Sequence, residues 1–305
     1  MKSARVVVVI PNWNGGDLTL ECLGSLSQVR EPEIEVVVVD NGSSDGSAAS
    51  VRRTFPAAQV LELGDNRGFT GAANEGLALA RRAGADHCLL LNSDAVVAED
   101  AIALLLEALD RDLAAAVAGP TVYYRDRPRV VWSAGGEIDW QRGRTRMIGI
   151  DETDEGQFGA EPRPVPFLSG CAILLRMTAV ERVGAFDPRF FAYYEEVEWC
   201  VRCVRQGGRI LHAPRARVWH SITAAARETS PLVHYYMTRN RLLFLRASGA
   251  PFAAWAGAAL DTARTVLSWT VRPQWRGKRA QRAAVLRAVA DFCSGRFGRA
   301  PLPGA

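Results

Sequence analysis

Several features that mark particular classes of protein are missing from this sequence of 305 residues. Its longest uncharged apolar stretch, Ala247 to Leu260, has 14 residues, whereas a membrane-spanning helix needs about 20. Only five apolar residues, Val6 to Ile10, follow the charged amino end before a Pro-Asn turn, which is too short for the core of a signal peptide. We therefore expect no spanning helix and a cytoplasmic protein.

Paired cysteines and nucleotide-binding glycine motifs are also lacking. The six cysteines are scattered except for Cys200 and Cys203, and a single C-x-x-C cannot supply four zinc ligands. We expect this pair to pack inside a helix. No G-x-G-x-x-G follows the first apolar run, and no G-x-x-x-x-G-K-[ST] occurs. The sequence thus disfavours a dinucleotide-binding domain and excludes a P-loop.

What is present is the composition of a globular protein with an uneven charge. Hydrophobic residues make up 48% and charged residues 23% of the chain. Residues 232–305 hold twelve Lys or Arg and two acids, which gives this segment a net charge of +10. Because the whole chain has a net charge of +4, residues 1–231 have a net charge of −6. Such a basic tail suits an anionic surface such as phospholipid headgroups or nucleic acid, although a solvated basic helix face is an equal alternative.

The apolar pattern alternates strands with helices. Short β-branched runs (Val6–Ile10, Ile34–Val39, Val60–Leu63, His87–Leu91) alternate with helical segments (Leu18–Ser27, Ala48–Phe55, Gly71–Ala83), which predicts a mostly parallel sheet. A helix over 101–109 and a strand over 115–122 follow. Residues 125–165 predict a hairpin with loops, and 167–175 a buried strand. Two short strands are expected over 210–212 and 217–220, with helices beyond Pro231.

Polar residues follow four consecutive predicted strands. Ligands of open parallel sheets lie beyond the carboxyl ends of the strands, so these loops predict a polar ligand. Asp40 could accept hydrogen bonds from a base imide or a ribose hydroxyl. Asp94 directly follows Leu89–Leu91 and could hold Mg²⁺ beside substrate phosphates. The alternative for Asp94 is a turn or helix-capping residue.

The order of these segments resembles glycosyltransferase family 2, in particular its rhamnosyltransferase-like bacterial members. The resemblance covers about residues 5–245 and rests on VVVVIPNWN (6–14), VVVVDNGSSDGS (36–47), NRGFTGAANEG (66–76), LLLNSD (89–94), FLSGCAILL (167–175), GAFDPRFFAYYEEVEWCVR (184–202) and PRARVWH (214–220). It implies an α/β protein with a GT-A fold, which has a Rossmann-like, mostly parallel central sheet, a smaller acceptor-side hairpin and, here, C-terminal helices.

The same resemblance implies a donor site and a divalent cation, Mg²⁺ or Mn²⁺. Asn92-Ser93-Asp94 stands where the family has D-x-D, with only the last acid kept, so the need for metal is left open. Asp94 and His220 are the implied metal ligands, although a lone His is more often a structural hydrogen-bonding residue. The implied donor-binding residues are Pro11, Asn12, Asn14, Asp40, Asn41, Gly42, Arg67, Gly68, Asn74, Asn92, Ser93 and Asp94.

Three acids at the start of a helix are candidates for the general base. Glu195, Glu196 and Glu198 could simply be favourable charges at a helix N-terminus. The resemblance places Glu196 at the position of the base, as Glu where Asp is usual, with Glu195 as the fallback. Glu198 would be structural or would hydrogen-bond the acceptor. The acceptor side is expected to include Gly170, Trp132, Tyr194 and Glu198.

The resemblance implies an inverting transferase. We expect a GT-A catalytic domain over 1–230, with a nucleotide-sugar-binding half over 1–122 and an acceptor-side half over 123–230, followed by a basic helical extension over 231–305. The expected donor is dTDP-rhamnose, then a UDP-hexose, and the expected acceptor is a lipid-linked or growing glycan. Residues 251–305 could rest on the anionic inner leaflet, and no nucleic-acid partner is expected. A non-catalytic sugar-nucleotide-binding scaffold and, less favoured, a nucleotidyltransferase are the alternatives. The oligomeric state is left open.

Overall fold

The computed structural model describes residues 4–221 and 230–301. Met1, Lys2 and Ser3, part of the amino end discussed above, lie outside the described residues. The strands are β1 (Val6–Asn12), β2 (Ile34–Asp40), β3 (Gln59–Glu62), β4 (His87–Leu91), β5 (Ala95–Val97), β6 (Ala115–Tyr124), β7 (Val131–Ser133), β8 (Gly136–Asp139), β9 (Arg144–Met147), β10 (Arg163–Pro164), β11 (Ala172–Arg176) and β12 (Arg209–His220).

Helices cover the sheet and form the carboxyl end of the described chain. They are α1 (Gly16–Leu26), α2 (Ser47–Thr54), α3 (Gly68–Arg82), α4 (Ala101–Arg111), α5 (Met177–Val183), α6 (Glu195–Arg205), α7 (Pro231–Ala247), α8 (Phe252–Val271) and α9 (Arg279–Cys293), with a 3₁₀ turn over Pro273–Lys278. Cys200 and Cys203 are buried in α6, as predicted.

One mixed sheet organises the fold. Its order is β10-β12-β6-β11-β4-β1-β2-β3, and β3, β2, β1 and β4 run parallel, as predicted. All five residues of β4 are buried, as expected for a strand covered on both faces. A separate two-stranded sheet of β8 and β9 is the predicted hairpin. The predicted α/β architecture with carboxyl-terminal helices is therefore confirmed.

Three features of the sheet differ from the sequence prediction. The strand predicted over 167–175 begins only at Ala172, and it runs antiparallel between β4 and β6. The two strands predicted over 210–220 are one strand, β12, with an irregularity between Ala213 and Arg217. β5 was not predicted, because three residues are too short to show a period. It pairs antiparallel with β12.

The carboxyl-terminal helices pack on the sheet domain. Leu243, Phe244 and Leu245 of α7 are fully buried in the same core as residues of β1, β4 and α3. The α7 helix therefore shares its hydrophobic core with the part of the chain that carries the sheet. Within the described residues, no helix combines the length and the apolar character that crossing a membrane requires.

Candidate active site

The loops that follow β1 and β2 are joined by a buried hydrogen-bond network around Asn12. Its side-chain amide donates to Asp40 Oδ1 and to Ser47 Oγ, both at 2.9 Å, and its Oδ1 accepts from Thr19 Oγ1 at 2.7 Å. The other oxygen of Asp40 accepts from the backbone N–H of Ser43 at 3.0 Å. Asn12 and Asp40 are almost completely buried. This network fixes the shape of the predicted nucleobase pocket.

Asn41 and two glycines bring the loops after β2 and β3 together. The Asn41 side chain donates to Asn66 Oδ1 and to the Gly68 carbonyl, each at 3.1 Å, and accepts from the Arg67 N–H at 2.8 Å. Gly42 has a φ of +76°, and a Cβ there would lie 2.8 Å from the backbone carbon of Asp65. Only glycine combines that conformation with that approach.

Four other predicted donor residues lie around these loops. Pro11 is half-buried in β1, and Asn14, which is exposed at a φ of +51°, accepts from the Ser44 N–H at 2.8 Å. Arg67 is exposed and forms ion pairs with Asp65 and Glu75. Asn74 exchanges two hydrogen bonds with the Phe186 backbone, at 2.9 and 3.0 Å. Its amide thus joins α3 to the segment before the acidic helix.

Asp94 and His220 meet at the carboxyl end of β4. Asp94 Oδ1 lies 3.0 Å from His220 Nε2, and Asn92 Nδ2 lies 3.3 Å from the same nitrogen. The pairing of β5 with β12 sets Ala95 opposite His220, which brings the imidazole beside the preceding residue, Asp94. Burial disfavours the charged imidazole, but Cys171 and the Asp94 carboxylate outweigh this and raise the pKa of His220 to about 10.

The residues at this position fit a divalent cation that also binds substrate. No group of three or more His, Cys, Asp or Glu with metal-binding geometry occurs among residues 4–221 and 230–301. A carboxylate and an imidazole are nevertheless already adjacent, and the Asp94 side chain is 33% exposed. A cation bound here would take the place of the proton that His220 shares with Asp94, because a ligating imidazole is neutral. Mg²⁺ is commonly held by one or two protein carboxylates, with substrate phosphates and water completing its shell. Ser93 directly precedes Asp94 in the chain and lies near Gly15 of the β1 loop.

Gly170 and Cys171 connect this pair to the acidic helix. The Asn92 N–H donates to the Cys171 carbonyl at 2.8 Å, where the chain enters β11 beside β4. On the other side, a Cβ on Gly170 would lie 3.8 Å from Cγ of Glu196. Two consecutive residues therefore contact the metal-side loop and the predicted base. The loop that carries Asp94 and the helix that carries Glu196 therefore both contact the chain at the start of β11.

Glu195 and Glu196 begin α6 with their carboxyl groups in a poorly hydrated environment. Burial, together with the neighbouring Glu196 charge, raises the pKa of Glu195 well above its ordinary value. Burial also raises the pKa of Glu196, against backbone N–H groups that include that of Gly170. One oxygen of each carboxyl is buried without a hydrogen-bond partner among the described residues. A raised carboxyl pKa is typical of general acid–base residues.

The remaining acceptor-side candidates have distinct surroundings. Glu198 is buried and forms a bidentate ion pair with Arg202, with contacts of 2.9 to 3.2 Å. This ion pair fits the structural role, the first of the two expected for Glu198. Tyr194 is buried against Phe244, with ring centroids 5.6 Å apart. Trp132 lies edge-on to His220, with ring centroids 5.0 Å apart, and borders the Asp94–His220 pair.

Several residues that shape the site were missed from the sequence. Thr19 of α1, Ser43 of the loop after β2 and Ser47 at the start of α2 complete the Asn12 network, but a single hydroxyl residue carries no distinguishing signal in the sequence. Arg239 and Asn240 are fully buried in α7 and contact the segment before Glu195. The short polar run Arg239-Asn240-Arg241, directly before the apolar Leu242–Leu245, is the sequence signal that could have revealed them.

Comparison with known proteins identifies the family of this chain. The family model described as "Glycosyltransferase like family 2" matches residues 4–241. The chain belongs to glycosyltransferase family 2. The model ends within α7, at the residue after Asn240, so the family region includes the start of the carboxyl-terminal helices.

Relatives within the family include several rhamnosyltransferases. The chain is 30% identical over 231 residues to the N-acetylglucosaminyl-diphospho-decaprenol L-rhamnosyltransferase of Mycobacterium tuberculosis, covering 70% of this chain and 75% of the relative. It is 25% identical to the dTDP-rhamnosyl transferase RfbF of Shigella flexneri, covering 82% of each. The mannosyltransferase PcManGT from Pyrobaculum calidifontis, solved with GDP-Man and Mn²⁺, has a TM-score of 0.61 at 17% identity over 97% of this chain and 89% of that one. This likeness confirms the fold.

Replacing Asn12 by Ala should lower the free energy of unfolding by about 2–4 kcal/mol, because Asp40 and the hydroxyls of Thr19 and Ser47 lose buried partners. Asn14→Gly, at an exposed position whose positive φ glycine adopts freely, should change it by less than about 1 kcal/mol. Urea denaturation of the two variants measures the difference. Equal stability of Asn12→Ala and wild type would show that the network does not hold the loops.

Proposed function

We propose that this chain is an inverting glycosyltransferase that moves a sugar from a nucleoside-diphosphate donor to a hydroxyl of a lipid-linked or growing cell-surface glycan. The favoured donor is dTDP-rhamnose, followed by a UDP-hexose. The observation that carries the proposal is the start of β11, where Cys171 hydrogen-bonds Asn92 in the loop that carries Asp94, and the adjacent Gly170 lies against Glu196. The rhamnosyltransferase relatives support the choice of sugar.

In the proposed reaction the Glu196 carboxylate takes the proton of the acceptor hydroxyl. The hydroxyl oxygen forms a bond to the anomeric carbon as the bond from that carbon to the diphosphate oxygen breaks, which inverts the configuration. Asp94 and His220 would hold the divalent cation, which neutralises charge on the departing diphosphate. The loops held by Asn12 and Asn41 would enclose the nucleoside.

The scaffold alternative rests on the single acid of Asn92-Ser93-Asp94 and on Glu at the position of the base. The buried, unpartnered oxygen of Glu196 favours the enzyme, because a carboxyl kept poorly hydrated needs a compensating use. A panel of nucleotide sugars, tested by thermal shift and then with a polyprenyl-diphosphate-linked saccharide, separates the two. Transfer with inverted product configuration supports the enzyme, and binding without any transfer or hydrolysis supports the scaffold.

Glu196→Gln should lower kcat by about 10²–10⁴-fold and leave the donor Kd within about threefold, because only proton removal is lost. Glu195→Gln, its matched control one residue away, should keep most activity. It should also leave the acid limb of kcat/KM near its wild-type position. The Glu196 charge raises the pKa of Glu195, so Glu195 is still neutral while Glu196 ionises. Stopped assays across pH measure both effects.

The reverse pattern, with Glu195→Gln inactive and Glu196→Gln active, would assign the base to Glu195.

Asp94→Asn and His220→Gln should each weaken Mn²⁺ binding in the presence of dTDP at least about tenfold, because each removes one of two protein ligands. The measurement is the Mn²⁺ concentration that raises Tm, since a ligand of the native state stabilises it by mass action. Asp100→Asn is the control, an exposed acid six residues along the same segment. An unchanged Mn²⁺ response in both site variants would overturn this metal site.

We also propose that α8 and the following turn rest on an anionic membrane surface. The α8 helix buries only Ala254 and Ala258, while Phe252, Leu260, Leu267 and Val271 are exposed. Between Asp261 and Asp291 the chain has seven basic residues and no acid. Exposed apolar side chains combined with an excess of basic residues are typical of helices that lie in the headgroup region.

Leu267→Asp should reduce partitioning onto phosphatidylglycerol-containing vesicles about tenfold. The substitution removes an apolar side chain that would be buried in the membrane surface, and it adds a negative charge that the anionic lipid repels. Leu113→Asp is the matched control, since Leu113 is 90% exposed in the turn between α4 and β6. Vesicle sedimentation at low and high salt measures both variants. Equal loss in both variants, or no binding by wild type, would contradict a surface on α8.

A further inference from the structure

The segment that leads into the acidic helix has an unusual backbone. Phe191, Tyr193 and Tyr194 adopt φ values of +65°, +69° and +74°. Aromatic residues rarely occupy this left-handed region, and each costs about 1–3 kcal/mol unless the surroundings enforce it. Glu195 follows directly as the first residue of α6. The direction in which α6 begins, and with it the position of Glu196, therefore depends on what holds these three residues.

Asn240 of α7 holds this segment by its backbone carbonyls. Its Nδ2 lies 2.7 Å from the oxygen of Phe190, 2.7 Å from that of Ala192 and 2.9 Å from that of Tyr193. An amide nitrogen has two hydrogens, so at least one of them is shared between carbonyls. Because Asn240 is fully buried, no water replaces these bonds. We name residues 189–194 the base loop and the Arg239–Asn240 pair the clamp.

Arg239 orients Asn240 and extends the same contact. Its Nε donates to Asn240 Oδ1 at 3.0 Å, which leaves the amide nitrogen facing the base loop. Its Nη2 lies 3.3 Å from the Phe190 carbonyl, and its Nη1 donates to the Gly298 carbonyl at 2.8 Å. The Gly298 N–H in turn donates to the Arg189 carbonyl at 2.9 Å. The clamp therefore joins the base loop to the segment after α9.

The opposite side of the base loop is held by α3. The Thr70 N–H donates to the Phe191 carbonyl at 3.0 Å. A Cβ on Gly68 would lie 2.3 Å from that same oxygen, so only glycine allows the approach. The Phe191 ring stacks on Tyr236 of α7, with centroids 5.4 Å apart and planes at 9°. Helices α3 and α7 thus enclose the base loop between the donor loops and the carboxyl-terminal helices.

We propose that Arg239 and Asn240 are positioning residues for the transfer reaction: by holding the base loop in its left-handed conformation, they set the place of Glu196. The inference rests on the proposed function, because it assumes that Glu196 is the base. Neither clamp residue contacts the donor loops in the described structure. Loss of the clamp should therefore slow the chemical step and spare donor binding.

Asn240→Asp is the deciding variant, because it keeps the shape of the side chain and replaces the donor nitrogen by an oxygen. The three backbone carbonyls would then face an oxygen that cannot donate a hydrogen bond to them, and the base loop should leave its conformation. We expect kcat to fall about 100-fold, as for a displacement of about 1 Å, while KM for the donor and Kd for dTDP stay within about threefold. Unchanged kcat in a folded Asn240→Asp protein would overturn the proposal.

Met237→Asp is the matched control. It adds the same charge on the same helix at a position that is 40% exposed, and it should leave kcat and Tm close to wild type. If Asn240→Asp is not obtained folded, Arg239→Lys decides by the same criterion, since lysine keeps the charge but loses the planar set of donors. Equal losses of kcat in Met237→Asp and the clamp variant would count against the clamp.

A second substitution tests the role of the backbone conformation. Tyr193→Gly lets residue 193 keep its positive φ at little cost. In the Asn240→Asp background it should therefore restore kcat at least about fivefold relative to Asn240→Asp alone, which a double-mutant cycle with Tyr193→Gly measures. Absence of any coupling in the cycle would contradict a clamp that works by holding the left-handed residues.

Amide hydrogen exchange separates failure of the clamp from failure of the proposed function. Amides 190–198 should exchange at least about tenfold faster in Asn240→Asp than in wild type, with β1 to β4 unchanged. If wild type transfers no sugar from any donor while this exchange difference is seen, the proposed function fails and the clamp stands. If wild type is active and the exchange is unchanged, the clamp fails alone.

Discussion

The pairing of β11 with β4 is the constraint on which the site depends. A parallel strand next to β4 would continue the row of loops at its carboxyl end, whereas the antiparallel β11 brings its amino end to that edge. Gly170 and Cys171 consequently lie beside Asn92, and Glu196 packs on Gly170. One reversal of strand direction thus joins the loops of the first half of the chain to the acidic helix of the second. A Cβ at residue 170 would lie 3.7 to 3.8 Å from Phe69 and Glu196, which is an ordinary packing distance, so alanine would also fit at this junction.

Local sequence determined the parallel half of the fold well. The predicted strand His87–Leu91 is observed with the same ends, and the loops after β1 and β2 lie where strand ends in a parallel sheet place them. Short or irregular pairings were not predictable. β5 is three residues long, and β12 continues across a break in register that reads in sequence as two strands. The pairing of β5 with β12 brings His220 to Asp94, so the contact between these two residues depends on tertiary structure.

The predicted site residues divide according to what their polar atoms already bind. Asn12, Asn41 and Asn74 engage their amides with protein partners, so they shape the loops and the backbone path. Asp94 remains partly exposed, and Glu196 keeps an oxygen without a partner. A sequence motif shows which residue types occur together, but it does not show which of their polar atoms already have hydrogen-bond partners. That distinction required coordinates, as did the ion pair that commits Glu198 to Arg202.

The carboxyl-terminal helices join two properties that the sequence presented as separate. The basic, apolar surface of α8 was read from composition, and the acidic helix from local charge. In the structure α7 lies between them: Phe244 packs in the core beside Tyr194, and Asn240 binds the carbonyls that precede Glu195. The proposed membrane surface on α8 and the proposed base, Glu196, would then belong to one packed unit. Because packed interiors deform little, the distance between that surface and Glu196 is set by the fold, which suits an acceptor whose lipid end stays in the membrane.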